Sequence, residues 1–234
     1  MTINKLIIKQ IEPSSYQFSE ADFDLSKWRS ETDSVELTGG RGASQKIIIK
    51  GESFVLRHYL RGGLIAHLSR DLYVWTGLIR SRPYLETKAI QRALQHDLSV
   101  PEVMAYCVKR MGLYYKASII SRFIDNEGTL ASYLYDKQLP DSLWSALGSL
   151  IKQLHQASIF HADLNANNIL IVDGQFHLID FDKAEIAPTL ANSAEKNVQR
   201  LLRSLNKIQM LRRQQNLPFY FAPEQWSFLL QAYK

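Results

Sequence analysis

The chain has 234 residues, of which 46% are hydrophobic and 22% charged, with 11 glycines and 7 prolines. This excludes collagen-like, low-complexity and disordered classes and fits one sizeable domain or two small lobes. A single cysteine, Cys107, rules out an intrachain disulfide and a thiolate metal cluster and points to a reducing compartment. The longest stretches free of Asp, Glu, Lys and Arg are 10 residues, such as Ser142 to Ile151, against the ~20 apolar residues that span a bilayer. The apolar run Leu6-Ile7-Ile8 is cut at once by Lys9, so no secretory h-region is predicted either. The expectation is a protein that stays on the cytoplasmic side. Its formal net charge is +5. Between Asn192 and Asn216 stand six cations and one anion, which leaves 22 of each sign elsewhere, so one segment carries the whole excess.

In chain order, residues 1–37 show no pattern that assigns them a role. Thr38-Gly39-Gly40-Arg41-Gly42-Ala43-Ser44 is glycine-rich and could let backbone amides approach a phosphate, or simply turn the chain. Ile47 to Lys50, a turn at Gly51-Glu52, and Phe54 to Tyr59 predict a hairpin. Pro83 to Leu94 predicts a helix with Ala89, Ile90 and Ala93 at helical spacing, and Val103 to Ile124 a second hairpin turning near Arg110-Met111-Gly112. After Pro140 the period changes. Leu143, Leu147, Leu150, Ile151 and Leu154 share a helix face, which Asp141 or Ser142 can cap. Ile169 to Val172, Asp173-Gly174 and Phe176 to Ile179 predict a third, short hairpin between polar loops. A strand-rich lobe over 1–124 and a helix-rich lobe over 125–234, meeting near Ser121 to Gly128, make the fold class α+β.

The densest polar constellation is His161-Ala162-Asp163-Leu164-Asn165-Ala166-Asn167-Asn168, followed by the third hairpin and by Asp180-Phe181-Asp182. Antiparallel pairing should bring Asn168, before the first strand, close to Asp180, after the second. A carboxylate and an amide supply hard oxygens of the kind Mg²⁺ takes together with waters and substrate phosphates. Asp163 can then face a hydroxyl nucleophile. Two other readings compete: Asn and Asp cap turns at hairpin ends, and His161 with Asp163 could form two legs of an iron facial triad whose third leg would be His177.

HxDxxxxN followed 12 residues later by DFx resembles the catalytic and metal loops of protein-kinase-like phosphotransferases. That resemblance implies a bilobal kinase-like fold, with an antiparallel-sheet N-lobe carrying one helix and a helical C-lobe. It makes Asp163 the catalytic Asp, Asn168 and Asp180 the Mg²⁺ ligands and His161 a structural residue. Arg57 stands where such kinases place an ATP-binding Lys, with Glu86 on the predicted helix as its ion-pair partner, and Gly40 and Gly42 fall in the nucleotide loop. Taken together, Gly40-Arg41-Gly42, Phe54 to Tyr59, Arg61-Gly62-Gly63, Leu68 to Asp71, His161 to Leu170 and Asp180-Phe181-Asp182 resemble the lipopolysaccharide kinase family of sugar kinases, from about Gly39 to Lys207. The resemblance implies ATP-dependent phosphorylation of the 4-hydroxyl of 3-deoxy-D-manno-octulosonic acid (Kdo) on a lipid A precursor, Kdo-lipid IVA, at the cytoplasmic face of an inner membrane. Two departures stand out. Asn165 occupies the usual position of a catalytic-loop Lys, and Asp182 replaces the DFG glycine, so protein substrates are disfavoured and transition-state cations must come from elsewhere. Ala222-Pro223-Glu224 spells a kinase motif but follows a long basic helix, and is read as coincidence.

That basic helix carries Val198, Leu201, Leu202, Leu205 and Ile208 on one face and Lys196, Arg200, Arg203 and Lys207 on another. The charged face is either simply solvated or meets an anionic membrane surface. Leu217 to Phe221 and Trp226 suit an interfacial anchor or a C-terminal core equally. Arg61, Arg70, Arg80 and Arg82 are candidates for anionic groups. Alternatives to a Kdo kinase are a heptose kinase of the same pathway and a nucleotide-binding pseudokinase scaffold. A nucleic-acid-binding domain draws only on net charge and is not expected.

Overall fold

The computed structural model describes residues 4–11, 16–29, 34–36, 44–60, 71–187 and 191–234. They divide into two compact units: Met1–Lys88 with Pro101–Ile124, and Ala89–Val100 with Asp125–Lys234. The second half of the helix α2 (Arg82–Gln95) thus groups with the later part of the chain, not with the 1–124 lobe expected.

In the first unit, side-chain alternation makes the strands. Along β3 (Ser44–Ile49), Gln45, Ile47 and Ile49 point inward and Lys46 and Ile48 outward. Lys50 and Gly51, with φ of 51° and 83°, form the left-handed pair that a tight two-residue hairpin needs. They return the chain as β4 (Glu52–His58), setting Ile47 opposite Phe54. A second hairpin, β6 (Val103–Met111) and β7 (Tyr114–Arg122), turns at Gly112, whose φ is 61°. With β1 (Asn4–Gln10), β2 (Ser34–Glu36) and β5 (Tyr73–Val74), the sheet among the described residues runs β1-β6-β7-β4-β3-β2, with β5 added on β7, and is antiparallel throughout.

The N-terminal residues, unassigned from sequence, prove to be structural. β1 completes an edge on β6. Phe18, Phe23 and Trp28, the last in the short helix α1 (Leu25–Arg29), join Ile47, Phe54, Leu56 and Ile120 in one buried cluster. Burial also pushes the Cys107 thiol up to about 11, so it stays protonated and unreactive at neutral pH.

In the second unit, α4 (Asp141–Gln156) buries Trp144, Leu147, Gly148, Ile151 and Leu154. Leu143 and Leu150, expected on that face, are half-buried at its edges. Pro140 is the N-cap and neither Asp141 nor Ser142 caps; Asp141 sits in the first turn instead, where its charge favours the positive helix end. The stripe packs on α6 (Pro223–Tyr233), which buries Gln225, Trp226 and Leu229. Ala222-Pro223-Glu224 is the opening of that helix, with Gln225 Oε1 accepting the Ala222 N–H at 2.9 Å.

The third hairpin is β10 (Ile169–Val172) and β11 (Gln175–Leu178), turning through Asp173 and Gly174 at φ of 49° and 73°. A strand too short to see in the sequence, β8 (Gly128–Thr129), pairs with β10, and β9 (Ile159–Phe160) pairs with β12 (Glu185–Ile186). The basic helix is α5 (Ala191–Gln214), with Val198, Leu201 and Leu205 buried. No helix among the described residues is long and apolar enough to cross a membrane.

Gly148 is where α4 and α6 touch. A Cβ there would lie 2.2 Å from the Leu229 carbonyl oxygen. Gly→Ala in a helix normally stabilises by about 1 kcal/mol, but forcing two backbones apart costs about 1–3 kcal/mol. Gly148→Ala should therefore lower the urea unfolding midpoint, whereas a raised midpoint would show that the helices separate freely.

Four histidines share an electrostatic signature. Burial holds His58, His155, His161 and His177 below the ordinary imidazole range. The folded state therefore resists protons that the unfolded chain accepts near pH 6.5, and their contribution to stability is complete above that pH and lost below it. Unfolding free energy measured in urea should fall between about pH 7.5 and 5.5, before most carboxylates titrate; a flat profile would contradict these environments.

Candidate functional site

Residues 161–168 wind into a loop whose side chains alternate in and out. His161, Leu164 and Ala166 are fully buried, while Asp163 and Asn167 are exposed and Asn165 is half-buried. Backbone bonds close the loop on itself, from Leu164 N–H to His161 C=O at 3.3 Å and from Asn168 N–H to Asn165 C=O at 3.0 Å. The Ala166 carbonyl accepts the Ala131 N–H at 3.0 Å, satisfying an orphan donor at the start of α3 (Leu130–Asp136).

The imidazole of His161 is consumed inside the fold. Because a carbonyl only accepts, Nε2 must donate to Ile179 C=O at 3.0 Å. Nδ1 is then the acceptor for the Asp163 N–H at 3.3 Å. Neither nitrogen keeps a lone pair for a metal, and His177 lies mid-strand opposite Leu170. The iron-triad reading therefore fails. His161 also packs edge-on against the fully buried Phe181 at 4.8 Å between ring centroids.

The hairpin places the backbone of Asn168 beside that of Ile179. Ile179 N–H donates to Asn168 C=O at 3.0 Å, so Asn168 faces Ile179 and Asp180 is the next residue along. Asp180 adopts a left-handed φ of 61°, which Asp tolerates better than most residues. Asn168 Nδ2 donates to Asp163 C=O at 2.9 Å, so Oδ1 is the atom of that amide that could ligate a cation. An amide oxygen beside a carboxylate is a hard donor set of the size Mg²⁺ uses, because that ion fills most positions with waters and phosphate oxygens. Among the described residues no group of three or more His, Cys, Asp or Glu could form a closed metal cage.

In the other unit, Arg57 on β4 reaches Glu86 on α2. Arg57 Nη2 lies 2.5 Å from both carboxylate oxygens, and Tyr59 Oη donates to Oε2 at 2.6 Å. Glu86 is 4% exposed and Arg57 19%. Gly40 and Gly42 lie outside the described residues, as do Arg61 and Arg70. Arg82 donates to Tyr73 Oη at 3.0 Å and covers the Tyr73 ring, and Arg80 is exposed.

Three residues of α5 that sequence reasoning did not place here hold the 161–168 loop. Asn197 is fully buried and clamps the His161 peptide, accepting its N–H at 3.1 Å and donating to its C=O at 2.6 Å. Asn197 Oδ1 also accepts from His155 Nε2 at 3.2 Å, while His155 Nδ1 accepts from Tyr233 Oη at 2.9 Å. Ser204 Oγ accepts the Ala166 N–H at 3.2 Å. Arg200, one of the four cations of the charged face, has Nη1 3.4 Å from Asp163 Oδ1. A polar Asn among the apolar positions of α5 was the only signal available in the sequence.

Comparison with known proteins agrees with this architecture. The Lipopolysaccharide kinase (Kdo/WaaP) family model matches residues 26–233. A 3-deoxy-D-manno-octulosonic acid kinase of Stenotrophomonas maltophilia is 40% identical over 195 residues, spanning 81% of this chain and 76% of that protein. Another, of Xanthomonas axonopodis pv. citri, is 36% identical over 189 residues, spanning 80% and 74%. Among solved structures, WaaP in complex with acyl carrier protein aligns with a TM-score of 0.56 at 14% identity, over 83% of this chain and 76% of that one. Glucosamine kinase in complex with glucosamine, ADP and inorganic phosphate aligns at 0.50 and 12%, over 91% and 70%. At such identities the two structures speak for a kinase-like fold alone. The sequence matches, together with a loop and hairpin built around Asp163, Asn168 and Asp180, lead to the conclusion that the chain belongs to the lipopolysaccharide kinase (Kdo/WaaP) family of phosphotransferases that act on a hydroxyl group.

Proposed function

We propose that this protein transfers the γ-phosphoryl group of ATP to the 4-hydroxyl of Kdo on a lipid A precursor such as Kdo-lipid IVA. The observation that supports the reaction is the bonding that links the segments bearing Asp163, Asn168 and Asp180 at one end of a short hairpin, with Asn168 Nδ2 donating to Asp163 C=O and the N–H of Ile179, the residue before Asp180, donating to Asn168 C=O. The acceptor follows from relatives that are named Kdo kinases over about four fifths of this chain.

In this reading Asp163 orients the acceptor hydroxyl and receives its proton as the oxygen attacks phosphorus and the bond to ADP breaks. Asn168 Oδ1 and the Asp180 carboxylate hold Mg²⁺, which when bound neutralises charge on the phosphates. Arg57, backed by Glu86, contacts the nucleotide phosphates, with Gly40 and Gly42 in the covering loop. No covalent enzyme intermediate is needed, and rate comes from position and charge. Peripheral binding at the cytoplasmic face of an inner membrane completes the proposal. Lys196, Arg203 and Lys207 are exposed on one side of α5, where each contributes up to about 1 kcal/mol near anionic lipid. Leu217 and Tyr220, at 45% and 43% exposure, are available as anchors. Phe221 and Trp226, considered for the same role, are buried.

The direct experiment offers purified protein and Mg-ATP a Kdo-lipid acceptor and a heptose-bearing acceptor, and maps the product phosphate. Label on the Kdo 4-hydroxyl alone is expected; label on heptose alone would select the alternative sugar, and no turnover with either would favour a scaffold. Asp163→Ala and Asp180→Ala should each reduce turnover by about 10³-fold or more. Unfolding of the Asp163→Ala variant should be unchanged, because this side chain is 55% exposed, and near wild-type activity in either variant would overturn the assigned roles.

Arg57 is a double test. Arg57→Met removes the cation beside a buried carboxylate and should cost about 2 kcal/mol or more in urea unfolding. Arg57→Lys keeps the charge but not the planar fork. It should retain most of the stability while raising the KM for ATP about tenfold or more, since a point charge replaces oriented donors. A variant with unchanged ATP KM would confine Arg57 to a structural role.

A further inference from the structure

The 161–168 loop lacks a cation of its own, and its geometry leaves no way to gain one. Asn165 Nδ2 donates to Asp163 C=O at 3.1 Å and its Oδ1 accepts the Asn167 N–H at 2.8 Å. The side chain is therefore folded back on the loop and holds its shape. Asp163 nevertheless has a guanidinium at its side, brought from 37 residues downstream by α5.

The placement of that guanidinium is built. With 3.6 residues per turn, positions 197 and 204 of a helix fall within about 20° of each other, and position 200 about 60° to one side. Asn197 and Ser204 bond directly to the loop backbone at His161 and Ala166, and Leu201 and Leu205 beside them are fully buried. The helix is thereby held in both rotation and height over the loop, and Arg200 projects from the rim of that contact toward Asp163. Stability does not account for the pair. At 46% and 55% side-chain exposure, such an ion pair contributes about 0–1 kcal/mol.

We propose that Arg200 is the transition-state cation of this phosphotransferase, occupying from α5 the functional place that Asn165 vacates in the loop. The inference rests on the reading of Asp163 as the residue that faces the acceptor hydroxyl. As the hydroxyl oxygen bonds to phosphorus and the oxygen of the ADP leaving group departs, the acceptor proton passes to Asp163 and negative charge spreads over the transferring oxygens. A guanidinium already within 3.4 Å of Asp163 lies within reach of those oxygens and can donate two parallel hydrogen bonds. Before the substrates bind, the same group neutralises the Asp163 carboxylate. Among the described residues, Lys196, Arg203 and Lys207 make no ion pair with a carboxylate. Arg200 is thus separated by geometry from the cations with which it shares a helix face in sequence.

The test is steady-state kinetics on a Kdo-lipid acceptor dispersed in neutral detergent, so that membrane attraction does not enter. Arg200→Gln should lower kcat by about 10²-fold or more, the range for loss of one oriented transition-state donor, with the KM values for ATP and acceptor changing by less than about threefold. Arg200→Lys should recover at least about tenfold over Gln, as expected where charge counts but fork geometry also matters. Arg213→Gln, an exposed cation further along α5, serves as the charge-matched control and should keep wild-type kcat. The proposal falls if Arg200→Gln leaves kcat within twofold of wild type, acts only on the acceptor KM, is matched by Arg213→Gln, or is not improved on by Arg200→Lys. Asp163→Ala run alongside separates the two layers of the argument. An active Asp163→Ala overturns the site reading itself, whereas an inactive Asp163→Ala beside a normal Arg200→Gln overturns only the role given to Arg200.

Discussion

One buried amide holds the site-bearing loop to the helical unit. Asn197 satisfies both the N–H and the C=O of His161 and takes a third bond from His155, whose other nitrogen is met by Tyr233. Each bond contributes only about 1 kcal/mol net, but removing the amide would leave several buried polar groups without partners at about 1–3 kcal/mol each. The asymmetry makes the node a specifier of geometry. Helices α4, α5 and α6 and the start of the loop meet at one polar point and fit together in one register. The absence of a side chain at Gly148 matters for the same reason, since it lets the backbone of α6 approach α4 and places Tyr233 within reach of His155.

From that node the remaining constraints propagate through backbone. The inward residues His161, Leu164 and Ala166 fix the loop from beneath, and Ala166 ties it to both α3 and α5. The outward residues Asp163 and Asn168 are coupled to each other, because the Asn168 amide donates to the Asp163 carbonyl. Ile179 then hydrogen-bonds to both ends of the loop, through its N–H to Asn168 and its C=O to His161, which sets the position from which Asp180 departs. Phosphoryl transfer without a covalent intermediate depends on positioning at the ångström level. A loop with so few unconstrained backbone groups supplies it.

Much of this was legible in the sequence where short-range rules decide structure. The β3–β4 and β10–β11 hairpins announce themselves through their apolar runs and through Gly51 and Asp173-Gly174 as turn residues, although the first turn is Lys50-Gly51, one residue earlier than the expected Gly51-Glu52, because Lys50 takes the left-handed position and Glu52 already opens β4. The same rule sets residue 168 opposite 179 at the open end of the third hairpin. β1 was opaque because it is a largely exposed edge strand without apolar alternation. Phe18 reaches the core from irregular backbone, Phe23 from a single 3-10 turn and Trp28 from a five-residue helix, segments too short for a strand or helix period to show. β8 is two residues long, below any pattern. The contacts of Asn197, Arg200 and Ser204 escaped for a different reason. Their partners lie 36 to 38 residues away, and a spacing of three or four along a helix says which residues share a face but not what that face meets.

The charge excess, which first suggested a polyanionic partner, takes on a different meaning once α5 is seen against the loop. A helix that must bury Asn197, Leu201 and Leu205 on one side has two rims, and the rim nearer the loop is where Arg200 stands. Lys207 shares that rim but stands two turns further along, past Ser204, while Lys196 and Arg203 fall further round, and all three remain exposed. One sequence pattern thus serves two surfaces whose electrostatic demands differ. A lipid headgroup layer is satisfied by diffuse charge, which side-chain motion and salt screening degrade only gradually. A transferring phosphoryl group needs a donor already fixed in direction before the reaction begins. The structure meets the second demand with three direct ties between α5 and the loop, whereas among the described residues Lys196, Arg203 and Lys207 pair with no carboxylate, and this difference in constraint separates Arg200 from those three neighbours.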